Sequence, residues 1–316
     1  MSVYTRISTQ ELEDFLQEFN LGKLLSFRGI EGGIENTNYF VTTETSELVL
    51  TLFEALHESD LTPVLALAYH LGEQGLAVPA PIASHSGALL HKLKNKPAIL
   101  CPKLAGVHIQ NPSPKHCFVI GQALAQFHVK AQNLTAHKPN AFGLSWWQSQ
   151  GEKLVQNLSM KDQNLLRAEV QFQTAQQDKM AALPSGWIHS DLFHDNALFS
   201  ASGVAIIDLY SACQDNFIYD LAVLANDWCC SEEGQWKAGC VEQLFAGYGQ
   251  VRPLTDAELQ AWPIALRAGA LRWWLGRLQT KILQASYQGD LALSKDPNEY
   301  RNKLLMRQAQ YEDRHR

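Results

Sequence analysis

Residues 189–196 read His189-Ser190-Asp191-Leu192-Phe193-His194-Asp195-Asn196, and Asp208 closes the apolar run Val204-Ala205-Ile206-Ile207. These residue types suit phosphoryl transfer. One carboxylate can accept a hydroxyl proton while an amide and a second carboxylate hold Mg²⁺ against a triphosphate. That chemistry asks for positioning and charge neutralisation more than for covalent participation. Asp191 lies two residues after His189 and Asn196 five after Asp191, so a curled loop can turn both toward one point. Asp208 arrives twelve residues later on a return strand. Mg²⁺ takes hard oxygen ligands, which Asn196 and Asp208 supply.

Other readings of the same residues stay open. His189, Asp191, His194 and Asp208 could be ligands of a zinc or iron hydrolase, although Asn196 would then have no task. The Asp and Asn side chains could also do no more than cap turns. Asp220 stands near the start of an apolar helix. It either accepts backbone N–H groups of the loop or is an acid favoured in a first helical turn. Arg272, Trp273 and Trp274 punctuate a long helix; a guanidinium there suits a carboxylate and an aromatic ring an ammonium, or the rings are core. Trp146-Trp147 carry the same ambiguity. The segment from Gly29 to Asn36, which includes Gly32 and Gly33, could fold its N–H groups over phosphates or be a hairpin turn.

Several elements must position these groups. Ser8-Thr9-Gln10-Glu11 is a capping box ahead of Leu12, Phe15, Leu16 and Phe19 at helical spacing. Strands are predicted over 24–30, 39–43 and 48–53, with a polar turn at 44–47. A helix is predicted from Thr62-Pro63 to about Glu73, Gly75 following its end. Short strands are predicted around 81–84 and 89–93, then a buried one over 98–101. Helices are predicted around 114–131, 160–181, 217–231, 235–248, 256–288 and 297–314, with a strand–loop–hairpin island near 186–209. The chain is therefore expected to be α+β: an antiparallel, β-rich N-terminal lobe over 1–103 and a mainly helical lobe over 104–316, with a nucleotide between them.

Composition narrows the partners. Of 316 residues, 46% are hydrophobic and 18% charged, as in ordinary globular proteins, and the net charge is −6. No basic stripe marks a nucleic-acid binder. No apolar run approaches the roughly 18–20 residues that span a bilayer, and residues 1–6 show no signal core, so a cytoplasmic location is expected. The six cysteines show no C-x-x-C pair, and adjacent Cys229-Cys230 read as buried filler.

The run His189-Ser190-Asp191 to Asn196, then Ile206-Ile207-Asp208 and Tyr219-Asp220-Leu221-Ala222, resembles the aminoglycoside phosphotransferase and choline kinase superfamily. Phe27-Arg28-Gly29-Ile30, Glu35 to Val41, Val49 to Glu54, Asp208 to Cys213, Asn226 to Cys229 and Asp296 to Tyr300 resemble its homoserine kinase branch. The resemblance implies a protein-kinase-like, two-lobed fold and ATP-dependent phosphorylation of the L-homoserine hydroxyl, on the route to threonine. Choline, ethanolamine or a sugar is the alternative acceptor. It implies Asp191 as catalytic base, His189 bracing the catalytic loop, and Asn196 and Asp208 on Mg²⁺. It further implies Gly32, Gly33 and Asn36 over the phosphates and adenine on the backbone near Leu100 and Pro102. Tyr210 joins Arg272 and Trp273 as a candidate at the substrate. One position departs: Thr51 stands where most members place the Lys or Arg that contacts the phosphates. Arg28 and Lys103 are candidate substitutes, and a nucleotide binder without catalysis remains an alternative.

Overall fold

Ser8 starts the first helix, α1 (Thr9–Leu16), as its pattern predicts: its hydroxyl accepts the Glu11 N–H, and the Glu11 carboxylate accepts the Ser8 N–H at 2.8 Å. The computed structural model describes residues 5–30, 36–285 and 295–314. Gly32 and Gly33 lie outside the described residues. Contacts divide the chain into two units. The first comprises Met1–Val107, Asn133–Lys138 and Leu198–Tyr210; the second comprises His108–Gln132, Pro139–Ala197 and Ser211–Arg316.

In the first unit, β1 (Leu24–Gly29), β2 (Asn36–Thr43), β3 (Glu47–Phe53), β4 (His91–Leu93) and β5 (Lys96–Pro102) form an antiparallel sheet ordered β1-β2-β3-β5-β4. Strand side chains alternate between faces. Leu48, Leu50, Leu52 and Leu100 therefore pack with Leu12, Phe15 and Leu16 of α1. Phe53, Ile99 and Cys101 pack on the other face with Leu61 and Leu65 of α2 (Glu58–Glu73). Thr51 shares that second face.

Two local expectations need correction. The second helix begins at Glu58 and holds Pro63 inside it. Glu58 and Asp60 suit the positive end of the helix dipole, and the Thr62 hydroxyl donates to the Glu58 carbonyl at 2.7 Å within the first turn, whereas Pro63 has no N–H to give the Ser59 carbonyl. No strand forms over 81–84, where Ile82 donates a single bond to the Leu100 carbonyl.

The remaining elements are α3 (Pro114–Lys130), α4 (Leu144–Leu154), α5 (Met160–Ala175), α6 (Gln177–Ala181), β6 (Ser185–Ile188), β7 (Ala197–Ser200), β8 (Gly203–Ile206), β9 (Cys213–Asn216), α7 (Phe217–Trp228), α8 (Cys240–Val251), α9 (Asp256–Ala285) and α10 (Pro297–Arg314). The expected helix over 160–181 breaks at Gln176, and the one expected from 235 starts after Gly239, whose φ of 73° is left-handed. The helix α4 carries no side-chain cap at Gly143, which removes the usual start signal. The α3 and α8 backbones touch: a Cβ on Gly247 would meet the Phe118 carbonyl oxygen at 2.0 Å, and one on Gly121 the Leu244 oxygen at 2.5 Å. All six cysteines are free and buried. Among the described residues no helix is long and apolar enough to cross a membrane.

Candidate active site

The strand β6 runs alongside β9, which leads directly into α7, and this places Asp220 of α7 beneath the loop that leaves β6. Asp220 is fully buried. Its Oδ2 accepts the His189 N–H at 2.8 Å and its Oδ1 the Ser190 N–H at 2.7 Å. Ser190 has a φ of 64°, and its hydroxyl donates to the Ser211 carbonyl at 2.8 Å. Of the two roles open for Asp220, the structure shows the support of the loop.

A second layer orients Asp220. His128 Nε2 lies 3.0 Å from its Oδ2, and His128 Nδ1 lies 2.7 Å from the Tyr248 hydroxyl. Burial holds the His128 pKa below its ordinary value, so the ring is neutral. The consistent tautomer donates from Nε2 to Asp220 and accepts at Nδ1 from Tyr248.

Asp191 is gripped by its backbone. Its N–H points to His189 Nδ1 at 3.3 Å, and its carbonyl accepts the Phe193 N–H at 2.8 Å and Asn196 Nδ2 at 2.7 Å. His189 is fully buried, so it braces the loop and has no surface to offer a substrate. The Asn196 amide is oriented by its nitrogen, which leaves Oδ1 as its acceptor for a hard cation. His194 is tied back: Asp227 Oδ2 accepts both its N–H and its Nδ1, each at 2.8 Å, and this bond raises the His194 pKa. Among the described residues, no three His, Cys, Asp or Glu side chains converge as metal ligands.

Arg272 of α9 stands in an aromatic cage, its guanidinium 4.0 Å from the Phe142 ring, 4.6 Å from Trp273 and 5.1 Å from Trp146. No carboxylate among the described residues forms an ion pair with it. Burial lowers its pKa, opposed by Tyr219 and by Asp191, so it lies within electrostatic reach of Asp191. Trp273 also rests on Phe193 of the loop, with ring centroids 4.6 Å apart, whereas Trp274 is core.

The first unit holds the other sequence candidates. Asp208 is exposed and has a φ of 60°, a left-handed conformation that Asp tolerates better than most residues. Tyr210 meets Phe53 edge-on at 4.9 Å, and its carbonyl accepts Lys138 Nζ at 2.7 Å. Burial pushes its pKa well up, opposed by a hydrogen bond to Thr51. Thr51 donates to Asn38 Oδ1 at 2.7 Å, so the position expected to carry a cation is a closed neutral network. Arg28 and Lys103 both approach the Phe40 ring, at 4.9 and 5.4 Å; Lys103 also pairs with Glu47 at 3.1 Å. Asn36 is buried at the start of β2. The Leu100 side chain is core and its carbonyl accepts Ile82, while Pro102 is exposed at the end of β5.

The model of the phosphotransferase enzyme family matches residues 26–254. The chain belongs to this family. As a family member it is 40% identical to a homoserine kinase of Janthinobacterium sp. over 97% of this chain and 96% of that protein. It is 38% identical to a homoserine kinase of Pseudomonas aeruginosa over 98% and 97% of the two chains. The phosphotransferase fold is seen again in an amicoumacin kinase, with a TM-score of 0.70, 15% identity and 98% and 94% coverage. A choline kinase from Streptococcus pneumoniae gives a TM-score of 0.65 at 16% identity, covering 95% and 98%. The fold is protein-kinase-like, and the resemblance carried by the loop and its neighbours holds across nearly the whole phosphotransferase chain.

Sequence reasoning missed the His128–Tyr248 pair and Asn140. Neither has a motif spacing; a buried His opposite Asp220 becomes visible only when α3 packs on α7.

Proposed function

We propose that this phosphotransferase moves the γ-phosphoryl group of ATP to the side-chain hydroxyl of L-homoserine, giving O-phospho-L-homoserine and ADP in the cytoplasm, toward threonine. The observation that carries the reading is Arg272, an aromatic-caged cation without a carboxylate among the described residues and within electrostatic reach of Asp191. It suits the carboxylate of an amino-acid acceptor, which choline and ethanolamine lack. The names of the relatives at 38–40% identity support the same acceptor.

In this mechanism Arg272 anchors the carboxylate, and Asp191 accepts the hydroxyl proton as the oxygen attacks the γ-phosphorus and the bond to ADP breaks. The backbone clamp on Asp191 fixes the direction of its carboxylate before substrate arrives, which is where much of such catalysis resides. Asn196 and Asp208, both hard oxygen donors, are the residues that would hold Mg²⁺. The ion, when bound, supplies positive charge to the phosphate oxygens. Gly32, Gly33 and Asn36 would cover the phosphates, with adenine on the backbone near Leu100 and Pro102. Arg28 and Lys103 would supply the charge that Thr51 lacks. Tyr210, held by Thr51 and Lys138, would border the substrate.

A coupled ADP-release assay across homoserine, choline, ethanolamine, methylthioribose and an aminoglycoside tests the reading. Homoserine should be preferred by at least about tenfold in kcat/KM, the factor set by one lost charged contact of roughly 1.4 kcal/mol. Preference for any other acceptor overturns it.

A further inference from the structure

An α-amino acid is a zwitterion, and Arg272 answers only half of it. A site that buries the ammonium beside the anchored carboxylate must supply an acceptor for it.

Several buried and half-buried carboxylates of the second unit carry cationic partners. Glu169 pairs with Arg267 at 2.6 Å, Glu258 with Arg252 at 2.9 Å and Glu299 with Arg277 at 2.5 Å. Asp215 of β9 carries no such partner. It is half-buried, and no Lys, Arg or His among the described residues forms an ion pair with it. Its Oδ2 accepts Asn140 Nδ2 at 2.7 Å and its Oδ1 accepts the N–H of Asn216 at 2.7 Å, both neutral donors. Burial raises its pKa, and the negative charge of Asp220 adds to the effect.

One turn joins this anion to the unpaired cation. Asn140 donates to Asp215 through Nδ2 and accepts the Phe142 N–H through Oδ1 at 2.8 Å. The Phe142 ring in turn lies 4.0 Å from the Arg272 guanidinium and is 38% exposed, so it stands at the open side of the cage. Tyr219 registers the charges of both Arg272 and Asp215. Two opposite charges tied to the same turn, yet not neutralising each other, match a ligand that carries both signs.

We propose that Asp215 receives the ammonium of the amino-acid acceptor and, with Arg272 on the carboxylate, makes this site select a zwitterion. The proposal rests on the homoserine reading and names the group behind its selectivity.

The test compares homoserine with two truncated forms: γ-hydroxybutyrate, which lacks the ammonium, and aminopropanol, which lacks the carboxylate. Asp215→Asn should lower kcat/KM for homoserine by about 10–100-fold, as loss of a charged hydrogen bond does. It should leave γ-hydroxybutyrate within about threefold, and KM for ATP unchanged. Arg272→Ala should do the reverse, sparing aminopropanol while both carboxylate-bearing alcohols lose rate. The two-substrate ratio is taken on one preparation, so partial unfolding scales both rates alike; Asp215→Ser repeats the test if the Asn variant does not fold. Equal loss on homoserine and γ-hydroxybutyrate shows a merely structural Asp215 and overturns the proposal while the homoserine reading stands. A wild-type enzyme that prefers an acceptor outside this trio overturns the reading and the proposal together.

Discussion

Asp220 Oδ1 accepts the N–H of Ser190 at 2.7 Å while Ser190 holds a left-handed φ of 64°. A non-glycine residue in that region costs roughly 1 kcal/mol or more, so it persists only where neighbours over-determine it. The carboxylate of α7 is that neighbour. It turns the chain so that the next residue, Asp191, leaves the strand at the angle the Phe193 and Asn196 bonds then fix.

Asp220→Asn keeps the volume and removes one acceptor oxygen. The His189 and Ser190 N–H groups and His128 Nε2 then compete for a single oxygen, and at least one buried donor is orphaned. Stability should fall by roughly 2–4 kcal/mol, lowering Tm by about 5 °C or more in a thermal melt. The kcat should fall with it, because the loop loses its turn. An unchanged Tm would show that Asp220 does not hold the loop.

Asp191→Asn tests the base itself. The backbone clamp does not involve the carboxylate, so the fold and the KM for ATP should persist. The kcat should drop by about 10²–10⁴-fold, the range of general-base catalysis. Activity within tenfold of wild type would remove Asp191 from that role.

His128 gives stability a pH dependence of defined sign. An unperturbed ring titrates at 6.5, and burial keeps the folded ring neutral to lower pH. Above that value both states are neutral and the group contributes no slope. As pH falls below it, the unfolded chain takes up a proton that the folded chain refuses, so stability declines. His194 acts oppositely, because Asp227 raises its pKa and its stabilisation is lost as pH rises. The measurement is therefore a difference: urea unfolding from pH 5 to 7 should show a shallower acid-side decline for His128→Gln than for wild type. Parallel curves would mean that the ring protonates equally in both states.

Much of the catalytic loop was legible because its chemistry is local. The spacing from His189 to Asn196 lets one short loop close on itself, and the bonds of Asp191 to Phe193 and Asn196 do so within five residues. Capping at Ser8, the apolar run of β3 and the helix from Pro114 were equally local, since each depends on neighbours a few residues away. The start of α2 was misplaced because Pro63 was read as the first helical residue, whereas the helix already runs from Glu58 and holds the proline inside it. The roles of His128, Asn140 and Asp215 were not legible. Their partners lie 75 to 120 residues away, and no periodicity records such pairings. By itself the sequence determined the loop that closes between His189 and Asn196 and most of the order of the elements, because those follow from residue type and short-range sterics. Only the tertiary structure decided which charges are neutralised by a partner. Arg267 and Arg272 sit five residues apart on one helix, yet packing gives the first a buried Glu169 and the second only aromatic rings.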